Sequence, residues 1–216
     1  MKQSSNRILK RIHLNVALAV VAAASGTQLN AESFFQFGFW APKLQIVDEA
    51  DSVKGIRLDL VYGRNEDVTG LDLGLANQTT GNQTGLQLGL ANIVEGDMSG
   101  VQLGYYGYSG VGGDVRGWSS GIYSRVRGST TGLQNGIVGI TDGDLTGLQF
   151  NFAYSLTREH LTGAQFGIVN QADSVQGVQI GIVNFAGDMD GLQIGLWNQI
   201  DNKDKFRVLP IVNWKF

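Results

Sequence analysis

The chain has 216 residues, of which 31 are glycine, two are proline and none is cysteine. Without cysteine it can form no disulfide and carry no lipid on an amino-terminal thiol. Its net charge of −3 argues against nucleic acid as a partner. Many glycines disfavour helices, because each interior glycine costs about 1 kcal/mol relative to alanine. The 43% hydrophobic content is regularly spaced, which favours an ordered repeat over a disordered chain.

Residues 1–31 have the layout of a secretory signal. Four basic residues precede an apolar run, 14–24, that is too short to span a bilayer, and Leu29-Asn30-Ala31 offers a cleavage site. We expect the mature chain to begin near Glu32. It would hold 12 Lys and Arg against 19 Asp and Glu, a net charge of −7. The expected location is the cell surface or outer membrane, with the periplasm as a further option.

A short repeat fills the rest of the chain. Each unit reads apolar, any residue, Gly, apolar, Gln, apolar, Gly, apolar, small or apolar, Asn; residues 177–184 show it from the first glycine onward. Its first glycine recurs every 14 to 17 residues, at Gly55, Gly70, Gly85, Gly100, Gly117, Gly132, Gly147, Gly163, Gly177 and Gly191. Two degenerate copies at 34–40 and 206–213 bring the total to about twelve units of about fifteen residues.

Within each unit the apolar residues alternate with Gln and Gly, which is the period of a β-strand. Polar segments of five to seven residues between units read as turns. The sequence therefore predicts an all-β protein. We divide it into a signal peptide (1–31), an N-terminal cap repeat with a connection (32–54), a β repeat domain (55–205) and a C-terminal cap strand (206–216).

Two architectures fit one strand per repeat. In an open parallel β-solenoid every repeat has identical neighbours, so a period of one strand follows directly, and we favour this fold. The alternative is a twelve-stranded outer-membrane β-barrel. The alternating residues of 208–216, which end on Phe216, support that alternative, whereas its usual aromatic girdles do not recur from unit to unit.

The solenoid predicts stacked amide ladders from the repeated Gln and Asn side chains, about 4.8 Å apart. Asn could instead simply end each strand, since it tolerates left-handed backbone. The only two prolines, Pro42 and Pro210, lie in or beside the terminal units. Because proline cannot donate to a β-ladder, this placement indicates capped ends of an open stack.

The segment 54–92, with its Gly-Leu-Asp-Leu-Gly-Leu-Ala-Asn unit, and the ending Leu-Pro-Ile-Val-Asn-Trp-Lys-Phe of 209–216 resemble the bacterial exported surface repeat-containing proteins. The resemblance covers essentially the whole mature chain. That family carries variable numbers of such units and is largely uncharacterised. The resemblance therefore implies an exported location more than an activity.

No catalytic, cofactor-binding or metal-binding residue is predicted. His160, the one histidine of the expected mature chain, occupies a turn slot that Asp or Ser fills elsewhere. Asp142 and Asp144 could offer oxygen ligands to calcium, but Asn, Ser and His interrupt their column, which favours turn chemistry. The irregular stretch 105–127 is rich in Tyr and Arg, types enriched at contact surfaces. We interpret it as core filling at a bulged repeat.

These observations predict a non-enzymatic exported protein that serves as a structural or interaction scaffold. Its partner would be a protein or a surface, with outer-membrane association included, and no cofactor is expected. The alternative function is that of the barrel, such as a small channel. The sequence leaves the ligand and the oligomeric state open.

Overall fold

The computed structural model describes residues Glu32–Phe216, and these contain β-strands but no helix. The predicted signal peptide lies outside the described residues. The strands are β1 (Glu32–Trp40), β2 (Leu44–Gln45), β3 (Ser52–Asn65), β4 (Val68–Thr79), β5 (Gln83–Val94), β6 (Met98–Val111), β7 (Val115–Val126), β8 (Thr130–Thr141), β9 (Leu145–Ile200) and β10 (Val208–Lys215). Strand β9 is continuous through four repeats.

The repeats stack as parallel layers of one sheet, in the order β10-β9-β8-β7-β6-β5-β4-β3-β1-β2. Each repeat glycine pairs with the glycine of the next repeat, as in Gly70 with Gly85 and Gly85 with Gly100. Parallel pairing with the same register from layer to layer is that of an open β-solenoid. The predicted all-β solenoid is therefore confirmed, and the repeats do not form the antiparallel alternative.

Both ends of the stack carry an antiparallel strand. Strand β2 pairs antiparallel with β1, and β10 pairs antiparallel with the last repeat of β9. The degenerate copy at 206–213 was predicted as a twelfth repeat, and its direction is the reverse of a repeat. Pro210 lies at a register shift of β10, which agrees with the confinement of proline to edges and bulges.

The repeat glycine is required by both backbone conformation and space. All ten of these glycines have positive φ. At Gly177 φ is +141°, and an added Cβ would lie 2.0 Å from the carbonyl oxygen of Gly163 in the layer below. Any side chain there would therefore force neighbouring layers apart. This close approach explains why glycine begins every repeat.

The interior consists of four columns of inward side chains, two of them polar. The polar columns hold the repeated Gln and the repeated Asn, or Ser in the middle repeats. A third column, mostly apolar, lies two residues before the repeat glycine and includes Met98, Leu145 and Leu161. The fourth lies near the end of each strand and mixes apolar residues with buried threonines: Val94, Ala186 and Ile200 with Thr79, Thr141 and Thr157. The Leu, Ile and Val residues that alternate with Gln consequently point outward.

Candidate interaction surface

A column of buried glutamines supports the sheet from inside. All five glutamines of this column are fully buried, and four of them donate through Nε2 to Oε1 of the glutamine one layer below, over 2.6–2.8 Å. We call this set the amide column: Gln134, Gln149, Gln165, Gln179 and Gln193. The other hydrogen of each Nε2 is donated to a backbone carbonyl oxygen. In Gln179 this acceptor is Phe185 O, at 3.1 Å. The predicted glutamine ladder is therefore present.

The asparagine ladder is present in two segments. Asn184 Nδ2 donates to Asn198 Oδ1 at 2.7 Å, and its Oδ1 accepts from Asn170 Nδ2 at 2.8 Å. A second segment joins Asn77 to Asn92 at 2.9 Å. In the middle repeats Ser109, Ser124, Gly139 and Ser155 take these positions, so this ladder is shorter than the amide column. Asn is thus a ladder residue rather than only a strand-ending one.

Charged residues replace glutamine near the N-terminal end. Arg57 and Asp72 occupy the Gln position of two adjacent layers, and both are fully buried. The guanidinium donates twice to the carboxylate, at 2.7 Å from Nε and 2.6 Å from Nη2. Gln87 Nε2 then donates to Asp72 at 2.8 Å and joins the pair to the glutamines above. With Asp59, these charges form what we call the ionic cluster.

Asp59 is the least satisfied member of the ionic cluster. Its Oδ2 makes no hydrogen bond within Glu32–Phe216, and Arg57 Nε lies 3.8 Å from it. Burial raises the pKa of Asp59, and this effect outweighs the opposing influence of the Arg57 charge. The carboxyl is thus held nearer to its neutral form than an exposed aspartate would be.

The outward residues of the same strands form a continuous apolar surface. It consists of the side chains one, three and five residues after each repeat glycine, and we call it the apolar face. Its outermost column is Leu60, Leu75, Leu90, Tyr105, Ile122, Ile137, Phe152, Ile168, Ile182 and Leu196, every one of them exposed. Ten layers at a spacing of about 4.8 Å and four residue rises give an area of about 48 Å by 13 Å, or roughly 600 Å².

The apolar face carries no charge. Of its thirty side chains in the ten repeats, only Ser120 and Asn135 are polar. Toward the C-terminal end it hollows into an open groove of about 560 Å³ that we call the apolar groove. Its walls are Phe150, Phe152, Phe166, Ile168, Ile182 and Leu196. A soluble monomer rarely exposes an apolar patch of more than a few hundred Å² unless the patch has a function.

A tyrosine bulge interrupts the apolar face in its N-terminal half. The register with the neighbouring layers shifts between Gly104 and Tyr108, so the chain protrudes at Tyr105 and Tyr106. Tyr106 is 89% exposed and has a φ of +55°. Tyr108 lies beside Tyr123, with ring centroids 5.7 Å apart in a stacked arrangement. The bulge was predicted, but its interpretation as core filling is wrong, because these rings lie outside.

The opposite side of the solenoid is polar and is organised by turn residues. In the repeats from Ser52 to Asp144 a side-chain oxygen of the turn accepts a hydrogen bond from the backbone N–H one layer away, as in Asn82 Oδ1 from Asp97 N at 2.9 Å and Asp114 Oδ1 from Ser129 N at 2.8 Å. Asp144 Oδ1 accepts in the same way from His160 N at 3.0 Å. Asp, Asn and Ser alternate in this column because each offers an acceptor.

The carboxylates considered for calcium have partners within the chain. Asp142 lies between Arg125 and Arg158, with a distance of 2.8 Å to a nitrogen of each. Burial would raise the pKa of Asp142, but hydrogen bonds from these two guanidinium groups outweigh it and keep the pKa below the ordinary value. Among residues 32–216 no three His, Cys, Asp or Glu side chains cluster as metal ligands would.

The described part of the chain contains no helix long and apolar enough to cross a bilayer. Comparison with known proteins found no matching protein-family model, no matching curated protein and no matching solved structure. The feature that the sequence analysis missed is the apolar face. Its signal was the apolar residue found at three positions of nearly every repeat, whose outward direction the pattern alone does not give.

Proposed function

We propose that this chain is an exported, non-enzymatic scaffold of the cell surface or outer membrane that binds a partner through the apolar face. One observation carries the proposal: ten repeats present an uncharged apolar surface to the outside while they bury Gln and Asn. When another surface covers exposed leucine and isoleucine, the complex is stabilised by about 25 cal/mol per Å² of apolar area removed from water. A purely structural repeat would gain nothing from keeping them outside.

The exported location is supported by the basic and apolar segments of residues 1–31. It is tested by expressing the full chain in a bacterium and determining its first residue by mass spectrometry. Cleavage near Glu32 and labelling of intact cells by a membrane-impermeant reagent are expected. An uncleaved chain recovered in the cytoplasm would contradict the location.

The role of the apolar face is tested by site-specific photo-crosslinking in the producing cell. A photoreactive residue at Leu90 lies on the apolar face, and one at Asp173 lies at an exposed position of β9 away from the apolar face. Both sites are exposed, so accessibility is matched. Adducts from Leu90 but not from Asp173 are expected. Adducts from both alike, or from neither, would contradict a binding role for the apolar face.

A further inference from the structure

We infer that the partner of the apolar face is a second copy of this chain, packed face to face with its solenoid axis antiparallel and with each tyrosine bulge seated in the other copy's apolar groove. This inference rests on the proposed function, since it names the occupant of the same surface. It follows from the charge, the area and the relief of the apolar face.

The charge of the face favours self-association. An isologous pair places the same patch on both sides, so a patch with charges of one sign would repel itself. The apolar face has no charge in any of its three columns, and it can therefore meet its own copy without leaving an unpaired ion. An anionic lipid surface fits less well, because the face offers it no Lys or Arg and residues 32–216 carry a net charge of −7.

The area of the face reaches that of a stable dimer. Two faces of roughly 600 Å² would bury about 1,200 Å² in total, which is the lower bound of standard specific interfaces. Two apolar sheet faces pack at about 10 Å with interdigitated side chains, and a regular array of side chains about 4.8 Å apart suits such packing. A partner smaller than the whole face would leave part of this surface exposed.

The relief of the face selects the antiparallel arrangement. The tyrosine bulge projects from the Gly100 repeat, whereas the apolar groove spans the repeats that begin at Gly147, Gly163, Gly177 and Gly191. In a parallel pair, bulge would meet bulge and groove would meet groove. In an antiparallel pair whose two-fold axis crosses the solenoid near the Gly132 repeat, each bulge lies over the other groove, and the overlap of the two faces is almost complete.

This arrangement determines which residues lie opposite their own copies across the two-fold axis. Ile137 belongs to the Gly132 repeat, so its two copies would be adjacent. Leu75 belongs to the Gly70 repeat, and its two copies would be about 40 Å apart at about 4.8 Å per layer. Tyr106, in the Gly100 repeat, would face the groove around Ile168 of the Gly163 repeat rather than its own copy. The chain contains no cysteine, so a single introduced thiol reports each of these distances.

The first test is the mass of the chain in solution. The full chain is expressed, and the protein is purified in detergent-free buffer with whatever processing the cell has carried out. Its molecular mass in solution is then measured by sedimentation equilibrium. A dimer is expected. Ile182→Lys, in the apolar groove, should weaken the dimer at least 100-fold, because it sets a charge into the contact. Gln176→Lys, on the polar side, is the matched control and should leave the dimer unchanged. Circular dichroism confirms that both variants are folded.

The second test is thiol crosslinking of the two copies. Under mild oxidation, Ile137→Cys should give a covalent dimer and Leu75→Cys should stay monomeric on a denaturing gel. The pair Tyr106→Cys with Ile168→Cys should crosslink, although Tyr106→Cys alone should not. Crosslinking of Leu75→Cys would show a parallel pair, and a dimer without crosslinking of Ile137→Cys would show another interface. Either result would overturn the inference.

A monomeric parent chain would also overturn it, and flotation of that monomer with phosphatidylglycerol vesicles would assign the face to lipid instead. Different results would contradict the self-association and the more general binding role of the apolar face. Photo-crosslinking from Leu90 to a different protein would refute the self-association and retain the binding role of the face. The absence of any adduct from Leu90 would refute both.

Discussion

The buried Gln column uses different chemistry at its two ends. Toward the C-terminus five uncharged glutamines follow one another, each donating to the layer below. Toward the N-terminus Arg57 and Asp72 take the same positions in adjacent layers and form two charge-assisted hydrogen bonds. Both regions satisfy buried polar groups at the same layer spacing. They differ in whether one layer can stack on a layer other than its present neighbour.

A primary amide carries both a donor and an acceptor, so any glutamine layer can stack on any other. A guanidinium only donates and a carboxylate only accepts, so each layer of the ionic cluster depends on one specific neighbour. We therefore expect the repeats of the amide column to be modular, as in other solenoids, and the first repeats not to be. Four predictions, in order of decreasing effect, test this difference.

Paired deletions of one repeat should have unequal results. Removing 177–190 sets Gln165 on Gln193 and Asn170 on Asn198, so both ladders close again and the protein should remain folded. Removing 70–84 sets Arg57 on Gln87 and takes away its carboxylate partner. Asp59 would remain 3.8 Å from Arg57 without a hydrogen bond to it. The loss of two charge-assisted hydrogen bonds, about 1.5 to 3 kcal/mol each, should make the second deletion less stable than the first by about 3 to 5 kcal/mol.

Urea unfolding of both deletions beside the parent measures this difference. The two variants lose one repeat each, which makes them controls for each other in chain length and in lost packing area. Equal midpoints would show that the ionic cluster is as modular as the amide column. Aggregation of the 177–190 deletion would contradict the independence of the repeats.

Arg57→Gln should lower the free energy of unfolding by about 3 kcal/mol at neutral pH, because it leaves Asp72 and Asp59 buried without a cation. The triple variant Arg57→Gln, Asp59→Gly, Asp72→Gln replaces all three charges with the residues found at these positions in the Gly85 repeat. It should lie within about 1 kcal/mol of the parent, since buried ion pairs are often replaceable as a set. Chemical denaturation of both variants checks this, and an unrescued triple variant would contradict it.

Asn184→Asp tests the uncharged end. The carboxylate would lose the two hydrogen bonds that Asn184 Nδ2 donates to Ile194 O and Asn198 Oδ1, at a cost of about 1 to 3 kcal/mol. A carboxyl buried among acceptors has a raised pKa. The loss should therefore be present at neutral pH and shrink as pH falls and the group is protonated.

Asn82→Asp is the matched control, because Asn82 is exposed and only accepts, as Asp97 and Asp114 do in the same turn column. Its thermal midpoint should stay within a degree or two of the parent. If Asn184→Asp were as harmless as Asn82→Asp at pH 7, the asparagine ladder would contribute nothing to stability.

The sequence predicted the period, the parallel stacking and the ladders, because these follow from identical residues at a fixed spacing. It did not predict which side of each strand faces inward. Alternation defines two faces without assigning them, and the habit of burying leucine would have given the wrong answer at Leu86, Leu88 and Leu90. The interior is narrow, and the Gln and Asn side chains find partners there in the layers above and below.

The ionic cluster and the outward direction of the tyrosine bulge were missed for different reasons. Arg57 and Asp72 stand fifteen residues apart in the Gln position with opposite charges, a signal that the sequence offered and that column-by-column alignment would have found. The outward direction of Tyr106 depends on how the Gly100 repeat accommodates two additional residues. Only the backbone path of the neighbouring layers decides that, so no local pattern could have shown it.

The smallest expected effect belongs to Asp59, where the ionic cluster holds one more carboxylate than its single cation balances. Because burial raises the pKa of Asp59 above its unfolded value, its contribution to stability is fully present at low pH and is lost as pH rises through the folded pKa. Asp59→Asn keeps an acceptor for Gln36 Nε2 and removes the charge, so Arg57 and Asp72 are left balanced. The variant should be more stable than the parent by about 1 kcal/mol at pH 7, and this advantage should vanish near pH 3. Thermal melts of variant and parent at both pH values, compared as differences, cancel the titration of the other carboxylates, including Asp142 and Asp188. A variant less stable than the parent at pH 7 would show that the Asp59 charge supports the buried Arg57, and that the ionic cluster needs all three of its members.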